Sequence, residues 1–152
     1  MKIKKVFFEE HAMGTTQRSL RVLRDELAHR YTHKICVIEV PTDELCCGFL
    51  ILDEDDSSAT FTGNGFRTDN GGEGGAGYRS AEALFSLFHV RLIHWEPVDL
   101  SPITDHINDL YFRHQSPGLA LPTLDILQPI ADQIDPSEFQ ELFKLEPEYV
   151  RR

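Results

Sequence analysis

Two apolar runs only a turn apart set the first limit on what this chain can become. Residues 34–40, KICVIEV, are almost continuously apolar and β-branched, which suits a central strand. Pro41-Thr42-Asp43 opens a turn, and residues 46–52, CCGFLIL, return as a second apolar run. Asp53-Glu54-Asp55-Asp56-Ser57-Ser58 reads as a polar hairpin turn, after which residues 59–62 resume with alternation. The consecutive acidic side chains lack the glycine and spaced oxygen ligands of a calcium loop, so a solvated turn is the better reading.

The flanking sequence supplies helices for this sheet. Residues 2–8, KIKKVFF, make a short strand whose lysines guard an edge. Gly14 breaks the chain, Thr15 or Thr16 can cap a helix, and Leu20, Leu23, Leu27 and Tyr31 recur at helical spacing over residues 17–31. Arg18, Arg21 and Arg24 fall on a neighbouring face, either solvated or in contact with an anion. A second helix is expected over residues 78–89, with Ala81, Leu84, Phe85 and Phe88 on one stripe, then a strand over residues 91–95. Ser101-Pro102 opens a third helix carrying Ile103, Ile107, Leu110 and Tyr111.

From residue 116 the texture changes, since five of the eight prolines lie between Pro117 and Pro147 among scattered leucines and isoleucines. Asp135-Pro136-Ser137-Glu138 resembles a capping box ahead of Phe139, Leu142 and Phe143. So many large apolar side chains must lie on something. The expected fold is therefore a single α+β domain: a mixed or mainly antiparallel sheet of about five strands with packed helices over residues 1–115. A Pro-rich C-terminal arm, residues 116–152, comes after it, with short helices packed on the core or on a partner subunit. Coverage of the arm by a second copy gives the expectation of a homodimer.

Seven of the ten glycines fall between Gly63 and Gly77, immediately ahead of a helical pattern. Glycine is accumulated where a positive φ or a close backbone approach is required, and free N–H groups at a helix start attract anions. The candidate ligand-binding set is thus Arg67, Gly72, Gly74, Gly75, Gly77, Arg79 and Ser80, within a strand-loop-helix segment at residues 63–80. The arginines supply charge and the amides around residues 75–79 supply donors for a phosphate or carboxylate. Residues 72–77, GEGGAG, also fit GxGxxG, with Glu96 at the acidic position. A dinucleotide site needs a buried strand running into its first glycine, and Arg67-Thr68-Asp69-Asn70-Gly71 is polar turn sequence instead. No GKS or GKT end of a triphosphate loop is present.

The order helix, three strands, helix over residues 17–89 resembles that of the double-stranded-RNA-binding domain across about half the chain. The resemblance implies a sheet with helices against it. That family's phosphate-binding lysine cluster at the start of its last helix has only Arg79 as a counterpart here, in Tyr78-Arg79-Ser80-Ala81-Glu82.

Charge and cysteine usage complete the reading. The net charge is −10. Residues 1–34 carry eight Lys/Arg against four Asp/Glu, and residues 35–152 carry seven against twenty-one. An acidic total argues against nucleic acid as a partner yet permits a small anion on the basic part. Cys36, Cys46 and Cys47 sit in strand-like sequence and read as reduced thiols of a cytoplasmic protein; a metal site shared with His29 and His33 lacks CxxC support. No apolar run is long enough for a membrane span. No metal, cofactor or catalytic residue is assigned. His94 with Glu96, and Asp105, His106 and Asp109, read better as structural polar groups than as acid–base sets. The expectation is a small binding protein for an anionic ligand, leaning away from an enzyme. The alternative is an acidic protein–protein interaction module without a small-molecule ligand.

Overall fold

The computed structural model describes residues 1–9, 15–42, 45–69, 71–93 and 124–142. In chain order they form β1 (Lys5–Phe8), α1 (Thr16–His29), β2 (Lys34–Pro41), β3 (Cys46–Asp53), β4 (Ser58–Phe61), β5 (Phe66–Arg67), α2 (Gly72–Leu87) and β6 (Leu92–Ile93). Then come α3 (Leu124–Asp132), a 3-10 turn (Pro136–Glu138) and β7 (Gln140–Glu141). The described residues make an α+β fold built on one mixed sheet of seven strands, two more than the sequence suggests. The two additional strands, β5 and β7, are each two residues long and too short to leave a period.

The sheet runs β1-β4-β3-β2-β6, with β5 continuing on β3 beyond β4 and β7 sharing the β2 edge with β6. Its centre is the β2–β3 antiparallel pair, registered from Ile35 opposite Asp53 to Pro41 opposite Cys47. These are the two apolar runs, and their lack of polar alternation has a direct cause: both faces of the sheet are covered. Ile35, Val37, Phe49 and Ile51 face α1 and α2, packing with Leu23, Leu27, Ala81 and Phe85. Cys36, Ile38, Val40, Leu50 and Leu52 point the other way, onto Leu127, Ile130, Ala131 and Ile134. Each such large apolar side chain contributes on the order of 1.5–3 kcal/mol when fully buried.

The second cover settles where residues 124–142 of the Pro-rich arm go. Leu127, Ile130, Ala131, Ile134, Phe139 and Leu142 are buried in the chain's own cores. The Asp135 cap is present, its carboxylate accepting from Ser137 N–H at 2.8 Å, which holds its pKa below the usual carboxylate range. It opens only a 3-10 turn, Pro136–Glu138, and not the expected helix through Phe139, because Gln140–Glu141 pairs with β2 as β7. The helix expected after Ser101 and the His94, Glu96, Asp105, His106 and Asp109 side chains lie outside the described residues.

Strand direction decides where the helices begin. β1 is parallel to β4, both β4 and β2 are antiparallel to β3, and β6 is parallel to β2. β1, β4, β2 and β6 therefore run the same way, as does β5, which is also antiparallel to β3. α1 comes after β1 and leads into β2; α2 comes after β5 and leads into β6. Both helices consequently start at the C-terminal edge of the co-directed strands, lie on one face, and send their N-termini to the same end of the molecule.

Candidate functional site

At that end the chain makes several close approaches. β4 stops where Thr62 replaces regular ladder pairing: its N–H donates to the Phe49 carbonyl at 3.0 Å while its hydroxyl accepts from Phe49 N–H at 3.0 Å. Gly63 then turns with φ of 97°, a region that favours glycine. Its carbonyl lies where a side chain on Gly48 would have to be. The loop reaches Gly65, whose carbonyl accepts from Thr16 Oγ1 at 2.6 Å and whose N–H donates to Ser19 Oγ at 3.1 Å. Asn64 Nδ2 donates to Thr42 Oγ1 at 3.3 Å. The first turn of α1 is thus pinned to the loop between β4 and β5.

This pinning changes the expected cap. Thr15 is the N-cap of α1, but its side chain makes no capping bond, and the Thr16 hydroxyl is spent on Gly65. α2 has Gly71 as its N-cap and so has no side chain to offer. The first-turn N–H groups of both helices have no carbonyl within their own helix to bond, and each helix end carries about half a positive charge. α1 has no acidic residue in its first turn; α2 has Glu73.

The candidate residues do not gather into one cluster. Gly72, Gly74, Gly75 and Gly77 do not form a loop ahead of the helix: α2 begins at Gly72, six residues before Tyr78. Gly75 N–H already donates to the Gly71 carbonyl at 2.9 Å. Gly74 and Gly77 serve packing instead, while Gly72 takes a positive φ of 56° at the helix start. A Cβ on Gly77 would overlap Thr16 Cγ2, and one on Gly74 would strike the Arg67 side chain. Arg67, at the end of β5, lays its stem over Gly74 and pairs with Asp69, at 3.0 Å from Nε and 2.6 Å from the terminal nitrogen. Asp69 also accepts from Gly71 N–H at 3.1 Å. The Arg67 hydrogen bond, reinforced by that amide, holds the Asp69 carboxyl below its usual pKa. Arg67, Gly72 and Gly74 therefore meet at the start of α2, already beside one resident carboxylate. Arg79 and Ser80 stand apart: seven residues from Gly72 at 1.5 Å rise is roughly 10 Å along the axis.

Two buried carboxylates fall outside the set expected from sequence. Glu39 sits inside KICVIEV on the α2 side of the sheet, 7% exposed, and accepts a short hydrogen bond from Tyr78 Oη. Burial first, then the Glu39 carboxylate, pushes the Tyr78 phenol well above its ordinary pKa. Asp53, fully buried at the end of β3, accepts from Arg30 at 2.7 Å and from His33 Nδ1 at 2.6 Å. Arg30, 3% exposed, also reaches Glu26 at 2.7 Å and Asp56 at 3.1 Å. Burial alone would raise the Asp53 pKa, but the His33 and Arg30 hydrogen bonds outweigh it and the net shift is downward. A lone acid inside or ending an apolar run is the signal that could have found both.

His33 is thereby engaged with Asp53, and its ring meets His29 edge-on at 6.3 Å. Cys36 and Cys47 are buried and free of disulfides, and burial raises the Cys36 thiol to about 12. Among the described residues no group of three or more His, Cys, Asp or Glu side chains is arranged to hold a metal ion, and no helix is long and apolar enough to cross a membrane. No protein-family model, curated protein or solved structure matches the chain.

Proposed function

We propose that this protein binds a small phosphate- or carboxylate-bearing ligand at the C-terminal edge of its parallel strands. The observation that carries the reading is that the N-termini of α1 and α2, neither with a side-chain capping bond, point to the same end of the sheet, α1 pinned to the β4–β5 loop through Gly65 and the second turn of α2 packed on Thr16 through Gly77. Helix dipoles directed to the same end reinforce each other there, and the crevice outside the carboxyl ends of strands is where open sheets with helical crossovers take ligands. The donors are the first-turn amides of Gly72, Glu73 and Gly74, with the α1 amides beside Gly65 as the second set. Arg67 supplies charge, and Arg79 and Ser80 would meet only a ligand that extends along α2.

A thermal-shift series with inorganic phosphate, sugar phosphates and small carboxylates tests this. At a hundredfold excess over its dissociation constant a ligand stabilises the fold by about 2.7 kcal/mol. Inorganic phosphate is expected to act equally on wild type and Arg79→Ala, and an extended phosphate more strongly on wild type. No shift with any of these anions would remove the proposal.

The cytoplasm is the compartment we infer, since free thiols in buried strands suit reducing conditions. Homodimerisation through the C-terminal arm keeps less support than the sequence lent it, because residues 124–142 find cover on their own sheet. It would have to be carried by other residues of the arm. The alternative reading, an acidic interaction module, would show as capture of a basic partner that is lost as salt rises.

A further inference from the structure

α1 and α2 touch closely where Gly77, in the second turn of α2, meets Thr16 at the start of α1, and a groove of about 390 Å³ runs between them towards their C-termini. Its length is held open on the α2 side by two small side chains, Ser80 and Ala83. Leu20 and Leu84 are half-buried in it, and Leu87 is 48% exposed at its far end. Among the described residues nothing covers this apolar strip. The groove has the volume of a small-molecule site.

The charge of the lining narrows the occupant. The chain carries −10 overall, yet the charged residues that line the groove are both cationic, Arg21 and Arg24. Arg24 pairs with its neighbour Asp25 at 3.2 Å, but both are 60% exposed, and such a pair is worth little. Arg21 forms no ion pair among the described residues. We propose that this groove is a second binding site, distinct from the helix N-termini, for a small organic acid with an apolar body. The hydrocarbon would lie along Leu20, Ala83, Leu84 and Leu87, and its acid group would meet Arg21 and Arg24.

Methyl and amide NMR titration of the full chain with sodium decanoate, beside the neutral decanol, tests the assignment. Saturable shifts of the Leu20, Leu84 and Leu87 methyls are expected with decanoate. Affinity should fall about three- to tenfold for decanol and for the double variant Arg21→Gln, Arg24→Gln, the effect of removing exposed charge pairs. Ala83→Leu fills the groove without touching either arginine and should abolish the shifts. Circular dichroism checks that the variants keep the fold. Equal binding of decanol and decanoate, full affinity in the double arginine variant, or no saturable methyl shift would overturn the proposal. Groove methyls that move on dilution of the protein alone would assign the face to a second copy of the chain, and would overturn it equally.

Discussion

The most demanding residues are the charged ones that the fold has taken out of water. Arg30 and Asp53 are almost completely buried, Asp53 compensated by Arg30 and His33, and Arg30 by Asp53, Glu26 and Asp56. Arg30→Ala should therefore cost about 3–5 kcal/mol in urea unfolding, leaving Asp53 buried without its cation. Glu26→Gln, which removes an acid that is 25% exposed, should cost less than about 1 kcal/mol. Acid supplies a second test. The Asp56 carboxyl is lowered to about 2, mainly by the Lys5 and Arg30 hydrogen bonds, and Asp53 is lowered as well. Because the folded pKa lies below the unfolded one, this stabilisation is complete above about pH 4 and drains away as pH falls. Unfolding free energy should drop between about pH 4 and pH 2, and less steeply in Asp56→Asn. At the glycine end, Asp69 is a resident anion beside the proposed site. Asp69→Asn keeps an acceptor for Gly71 N–H but loses the charge, so phosphate should bind it more tightly than wild type, measured by the same thermal shift. None of these partnerships is legible in the sequence, where Arg30 and Asp53 are far apart and Asp53 reads as the first residue of a solvated turn.

At the scale of elements the sequence is informative wherever a period is long enough to see. The apolar alternation and leucine spacing place α1, β2, β3 and β4 within a residue or two of their observed ends. The start of α2 is hidden because glycine is a poor helix former, so residues 72–77 read as loop. Tertiary contact overrides that propensity: the helix needs glycine there to pass close to Thr16 and Arg67. A substitution separates the two effects. Gly77→Ala gains helix propensity of about 1 kcal/mol yet overlaps the Thr16 methyl, and should be net destabilising by about 1–3 kcal/mol. Thr16→Ser removes that methyl and retains the hydroxyl that reaches Gly65. Combined with Gly77→Ala it should recover most of the loss, a coupling that a double-mutant cycle reads directly. Failure to recover would mean that the glycine serves something other than this approach.

For the whole molecule, the continuous apolar runs signal two covered faces but not which segment supplies the second cover. Its two central runs are apolar on both faces, and both faces are covered, α1 and α2 on one and α3 on the other. A chain ending at residue 123 would expose the face built from Cys36, Ile38, Leu50 and Leu52, and should fail to give a cooperative unfolding transition. The converging helix ends are equally illegible, since they depend on strand directions that no local pattern records. That convergence is the centre of the functional account, and amide-resolved NMR titration with inorganic phosphate tests it most directly. Saturable, concerted shifts of the Thr16, Gln17, Gly65, Gly72, Glu73 and Gly74 amides are expected, larger in Asp69→Asn, with Arg79 unmoved. Shifts confined to one helix, or scattered over the surface without saturation, would contradict it.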